Sequence, residues 1–353
     1  MRKRIIATAF VVVLIVIGLL YLLSPLLAPH LTKYLQVYIR PDGTIEPSSM
    51  QINREGNLYT LQANITLENL FIEKSNIILD GNGFKIKITT PSVGKSPGRG
   101  KIELTNVENV TLNNVITGYP QLTKNNAYEN YPAAHLIFEN CSFCESINSD
   151  VWSISINNSS GIRVSGYEGG RTSSQNEGAI ELTNSRNCNI SACTLVGVSL
   201  INSHENMFLN NYMTLMKTLA LRLEDSTGNL FFGNRIERSH KLFEITGSSA
   251  NNLFVGNYIQ GAFSHEPILN CGGVNTFYHN NFVYVYWNKT VTDDSPNRWD
   301  NGSEGNYWND YQGEDVNGDG VGDTPHFVDD NNKDRYPLMN PLDLSKEPMP
   351  KFP

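Results

Sequence analysis

Asp315, Asn317, Asp319 and Asp323 place oxygen-bearing side chains at the first, third, fifth and ninth positions of one short loop, with Gly320 at the sixth. Ca2+ takes about six to eight oxygen ligands from a loop that must turn sharply at its middle, where a glycine is needed. The loop is therefore expected to bind Ca2+, against the plainer reading of a solvated Asp/Gly turn. The twelfth position, which in an EF-hand is a bidentate acid, is His326, so Asp329, Asp330 or Asp334 would complete the shell.

Other reactive residues read as structural. Cys141 and Cys144 have the gap of a metal or redox pair, but no second pair completes a zinc site, and a local disulfide or two buried thiols is expected. Cys188 and Cys193, in an extended strand, would have Cα atoms roughly 16 Å apart, too far for a disulfide. Five cysteines cannot all pair with one another. His204, Met207, Met213 and Met216 carry groups that suit Cu(I), yet Met207 and Met213 fall in apolar positions of the repeat described next. Glu177, Glu181, Arg222, Glu224, Arg235 and Glu237 are the charges a polysaccharide-active enzyme would draw on. Stacking of repeats is not expected to bring them into a catalytic set. No Ser-His-Asp order, phosphate loop or His-Glu-x-x-His motif occurs, so catalysis has no support.

The elements that position these residues follow a fixed period. Four segments beginning at Asn206, Asn229, Asn252 and Asn275 succeed one another every 23 residues. Aligned, they give the columns Asn206/Asn229/Asn252/Asn275, Phe208/Phe231/Phe254/Phe277, Asn211/Asn234/Asn257/Asn280 and the apolar Met213/Ile236/Ile259/Phe282. A leucine-rich repeat would need Leu at fixed spacing and a helical half, whereas these units hold Phe, Ile and Val in short runs broken by Asn and Gly. The pattern predicts an all-β, right-handed parallel β-helix. Each turn is three short strands, and successive turns stack at about 4.8 Å, so that identical residues lie one above another. Looser copies at 109–114, 161–166 and 188–193, and earlier runs at 65–67, 77–79 and 84–88, extend it to about 10 turns, on the order of 50 Å.

The expected organisation is an N-terminal membrane segment over 1–36, a cap over 37–62, β-helix repeats over 63–290 and an aromatic, Asp/Gly-rich cap and tail over 291–353, containing Trp299, Tyr307 and Trp308. Irregular stretches at 91–100, 119–134 and 167–178 are read as protruding loops, where long insertions tend to carry function. Tyr119, Tyr128, Tyr131, Tyr167 and Arg171 are the candidate ligand-binding residues there. Residues 5–28 are uncharged and apolar and follow Arg2, Lys3 and Arg4. As a helix, that stretch would reach roughly 36 Å, enough to cross a bilayer. An uncleaved single-pass anchor is favoured over a cleaved signal, with the bulk of the chain outside the cytoplasm. Segment 1–36 holds four basic residues and no acid, so the net charge of −8 becomes −12 over residues 37–353. That excludes a nucleic-acid partner, which would need a basic face. Eight Asn-x-Ser/Thr triplets suit an exported glycoprotein, and chance also produces them in so Asn-rich a chain.

The Asn-Leu-Phe-x-Gly-Asn units, the bend Leu79-Asp-Gly-Asn-Gly83, and the tail segments 305–311, 315–325 and 334–338 resemble NosD-like β-helix proteins, a family labelled periplasmic copper-binding proteins. The resemblance covers nearly all of the chain after the apolar stretch. It implies a pectin-lyase-like β-helix of the carbohydrate-binding type, and, in bacterial members, a role in supplying copper. It brings no copper ligands residue by residue, and the acid, His and Arg-Lys motifs of polygalacturonases are absent. The sequence thus favours a non-catalytic surface module that binds polysaccharide or a neighbouring envelope protein, with a Ca2+-stabilised cap. The alternatives are an accessory copper-binding protein or a polysaccharide lyase or hydrolase.

Overall fold

The computed structural model describes residues 35–88, 100–118, 134–168, 179–214, 219–239, 241–262, 268–270, 273–283 and 297–351. Residues 36–353 form one compact unit. The apolar stretch 5–28, Tyr119, Tyr128, Tyr131, Arg171, Glu177 and Met216 lie outside the described residues. Among the described residues, no helix is long and apolar enough to cross a membrane.

Valine, isoleucine and phenylalanine alternating with polar residues make strands with one wet face, and Ala134–Glu139 buries every second side chain in this way. Such strands build the three walls of a parallel β-helix. The first wall is an 11-stranded sheet that begins at the edge strand Ile45–Glu46 and runs through Gln36–Ile39, Asn69–Ile72, Gly100–Thr105, Ala134–Glu139, Ser153–Asn157, Ala179–Thr183, Gly197–Ile201, Leu219–Glu224 and Lys241–Thr246 to Ile268–Asn270. The second, also 11-stranded, ends with Thr276–Tyr278. The third comes in two pieces, Ile65–Leu67 to Ile116–Gly118 and Thr194–Leu195 to Tyr307–Trp308. Antiparallel pairing is confined to the ends, at Ile45–Glu46, Ile52–Glu55 and His326–Phe327 with Lys333–Asp334.

The predicted columns are the core. The Phe208, Phe231, Phe254 and Phe277 rings stack with centroids 5.0, 4.8 and 4.4 Å apart. Both asparagine columns are buried. Asn229 shows the rule: its backbone N–H and its side-chain amide both donate to Asn252 Oδ1, at 3.0 and 2.9 Å, while Nδ2 also donates to the Ser203 carbonyl at 3.0 Å. A corner that turns the chain from one wall to the next leaves backbone groups without ladder partners, and buried polar groups must be paired. The amide column supplies those partners. Cys188 and Cys193 occupy the same slots one turn earlier, their N–H groups donating to Asn206 and Asn211 Oδ1 at 2.9 and 3.0 Å. Cys141, Cys144, Cys188 and Cys193 are buried free thiols. Burial pushes Cys188 and Cys193 up to about 11.

A third polar column, which the 23-residue alignment did not pick out, runs through Ser159, Ser185, Ser203, Ser226 and Ser249. Each backbone N–H donates to the next hydroxyl at 3.0–3.1 Å. The walls also overrun the expected caps. Gln36–Ile39 already pairs in parallel with Asn69–Ile72. At the other end Asn306 accepts from Asn280, Trp299 stacks 4.5 Å from Phe277, and Trp308 stacks 4.3 Å from Phe282. The C-terminal cap therefore continues the core columns at altered spacing before the chain leaves the prism.

Candidate functional site

The outer side of the first wall presents one column whose members the strand register fixes: Tyr38, Phe71, Glu103, Ile137, Ser155, Glu181, Ser199, Arg222 and Glu244. At its N-terminal end the Tyr38 and Phe71 rings stack 4.9 Å apart, Arg40 lies 3.9 Å from the Tyr38 centroid and Lys101 lies 5.0 Å from that of Phe71. Further along, small residues open the surface. Ala179 and Gly197 line a cleft of about 390 Å3 together with Glu181, Ser199, Leu219, Arg222 and Glu244. A Cβ at Gly197 would stand 3.2 Å from the Leu219 carbonyl oxygen, a tight contact that the glycine avoids. Arg222 is held by Glu224, two residues along its own strand, at 2.6 Å. The segments 89–99, 119–133 and 169–178, outside the described residues, each connect a third-wall position to a strand of this wall.

Stacking places Glu181 and Arg222 in one column together with Glu244, a residue the sequence did not single out. They do not form a hydrolytic pair. Glu181 and Glu244 are three strands apart, about 14 Å at the strand spacing, beyond the roughly 5–10 Å that glycoside hydrolysis requires. Arg235 and Glu237 lie on the third wall, bridged to one another, with Tyr212 donating to Glu237 at 3.0 Å and Arg235 4.3 Å from the Tyr258 centroid.

Tyr167 is a correction to the loop reading. It is 1% exposed and takes a third-wall slot of its turn: its carbonyl accepts from Thr194 at 2.8 Å, and its hydroxyl donates to the Trp152 carbonyl at 2.9 Å. Burial raises its phenol far above the usual range. An aromatic at the edge of an irregular stretch resembles a binding residue in sequence. Here the core claimed it.

The Asp/Gly loop winds around its first carboxylate. Asp315 accepts from the N–H groups of Gly318, Asp319 and Gly320, and Asp323 accepts from Val316. Gly318 and Gly320 have φ of +76° and +88°, the left-handed bends that let the loop close. Asp334 is not part of it. It is fully buried beneath the cap, accepting from Asn306, Tyr336 and the Trp308 indole at 2.7, 3.0 and 2.8 Å, and burial raises it to about 6. His326, stacked 4.5 Å from Trp308, is lowered by burial.

Among the described residues, the side chains that could suit copper are otherwise engaged. His204 Nδ1 accepts from Thr227 N–H at 3.2 Å, which leaves Nε2 to donate to Asn202 at 3.2 Å, so both ring nitrogens are used. Met213 is fully buried in the core, and Met207 lies on the outer side of the second wall. The four described cysteines are buried, with sulfurs against backbone carbonyls. Among the described residues no three His, Cys, Asp or Glu side chains are grouped to hold a metal ion.

Solved structures similar to this chain include a mutant of the periplasmic alginate epimerase AlgG, 12% identical with a TM-score of 0.45, the match covering 70% of this chain and 73% of that one. Another is the Streptococcus pneumoniae surface protein and adhesin PfbA, 12% identical, TM-score 0.35, covering 68% and 82%. A third is a lacto-N-biosidase from Eubacterium ramulus, 11% identical, TM-score 0.33, covering 71% and 60%. A search of curated proteins gave no match. The family model described as periplasmic copper-binding protein (NosD) matches residues 112–313, more than half of the chain, and with the parallel β-helix that those residues build, the protein belongs to the NosD family of extracytoplasmic β-helix proteins.

Proposed function

We propose that the protein is a non-catalytic carbohydrate-binding module, held at the outer side of a membrane by the apolar stretch 5–28, that receives a polysaccharide along its first wall. The observation that carries this is the cleft over Ala179 and Gly197, rimmed by Glu181, Ser199, Arg222 and Glu244. Ligand sites are concave and carry a few placed polar groups, with volumes of about 300–1,000 Å3. Strand spacing of about 4.8 Å also sets successive side chains of the column at close to the length of one sugar ring, so an extended glycan lying along the wall meets one of them per sugar. In this reading Ca2+ binds the loop through Asp315, Asn317, Asp319 and Asp323 and stiffens the cap. The support is their spacing and the tight turn at Gly318 and Gly320.

The experiment is a glycan-array screen of the full-length chain with and without Ca2+. Binding to at least one polysaccharide is expected. Absence of binding in both conditions contradicts the reading.

A further inference from the structure

Phe143 occupies the left-handed region at φ 54° and is 66% exposed. Both facts oppose stability, since a bulky side chain at positive φ is strained and an exposed ring gains no burial. The register explains why the backbone must bend there. At the corner between the first and second walls, Asn109, Phe143, Gly161, Asn187 and Glu205 each donate a backbone N–H to the carbonyl of the next turn, and each is left-handed. Asparagine and glycine tolerate that conformation. Glu205 adopts it too, with a chain that reaches into water; Phe143 differs in leaving a large apolar ring 66% exposed at the bend, and that exposure calls for another reason.

Its surroundings supply one. The ring rests against Gly161, where a Cβ would stand 2.9 Å from Phe143 Cδ1. One residue before Gly161 in the chain, Ser160 lies at the near end of a groove of about 330 Å3 that is lined also by Asn158, Asn184, Arg186, Asn202 and His204, and the Phe143 ring stands outside that lining, on the Gly161 side. Ser160, Arg186 and His204 are aligned turn upon turn, and the exposed amides are pre-oriented: Asn202 donates to Asn184 at 2.7 Å, and Asn184 donates to Asn158 at 3.1 Å. Arg186 is exposed and forms no ion pair among the described residues. An aromatic face at the end of a groove of ordered amides with one unneutralised guanidinium suits a sugar chain bearing carboxylates: the ring packs on sugar C–H groups, the amides bond hydroxyls and Arg186 takes an acid.

We propose that this corner groove is a second binding site, separate from the first-wall cleft, for an acidic oligosaccharide, with Phe143 as its stacking residue and Arg186 as its carboxylate contact. The test is calorimetric titration of the full-length chain with a galacturonate oligosaccharide and a neutral cello-oligosaccharide of equal length, for the native sequence, F143N, R186Q and R222A. F143N is expected to weaken galacturonate binding about tenfold or more while raising the melting temperature by about 2–4 °C, because asparagine relieves the strain. R186Q is expected to remove the preference for the acidic chain. R222A, which alters the first wall alone, is expected to leave this binding intact. No galacturonate binding by the native chain, or unchanged binding in F143N, overturns the proposal. Loss in R222A without loss in F143N overturns it too, and assigns the ligand to the cleft.

Discussion

An asparagine inside a β-helix is an economical corner post. Asn257 receives two hydrogen bonds on Oδ1 from Asn234 and donates to Asn280 and to the Phe231 carbonyl, all at 2.9–3.0 Å. Replacing it by alanine strands the groups on both adjoining turns, and a buried unpaired group costs about 1–3 kcal/mol. N257A is therefore expected to lower unfolding stability by about 3 kcal/mol, measurable by denaturant titration; a loss below about 1 kcal/mol would show that the column is not holding the corner. Asp334 yields a pH dependence. Its folded value, about 6, is raised by burial above the ordinary 3.8, so the folded state holds the proton more tightly. The corresponding stability is present below the ordinary value and is lost as pH rises through about 6. It amounts to at most about 3 kcal/mol. Between pH ~4 and ~6 the native chain is expected to lose stability relative to D334N. Parallel pH profiles of the two would contradict this.

At the scale of the element, the turn of the β-helix was legible because it repeats. Phe208 to Phe277 and Asn206 to Asn280 recur at an unbroken 23 residues, and a strict period leaves one geometry in which like side chains meet. The serine column was legible only in part. Ser203, Ser226 and Ser249 keep the period, but Ser159 and Ser185 precede turns of other lengths. The continuity of the asparagine column into the cap was hidden for the same reason, since Asn306 follows Asn280 by 26 residues and no gapless alignment includes it. What no period could reveal is which outward residues share a groove. Glu181, Ser199, Arg222 and Glu244 come from turns of unequal length, so their column appears only once the register is known. The Asp/Gly loop belongs to this scale as well. If Ca2+ fills it, chelation will lower the melting temperature of the full-length chain and added Ca2+ will restore it. An unchanged melting curve would remove the ion from the account.

At the scale of the whole molecule, residues 36–353 build a parallel β-helix with the cleft on its first wall and the groove at the corner between the first and second walls. Its acidic balance, −8 over the whole chain, disfavours polyanions in general, so an acidic glycan must be taken by a local cation such as Arg186 rather than by a broad field. Charged residues on the first wall are set on strands, which hold a site more firmly than loops do. R222A should therefore change binding without changing the fold. The measurement that tests the central claim most directly is a titration of R222A and the native chain with the polysaccharide bound best on the array, together with their melting curves. The account predicts about tenfold weaker binding for R222A at an unchanged melting temperature. Equal affinity in the two chains would contradict the assignment of the first wall as the polysaccharide site.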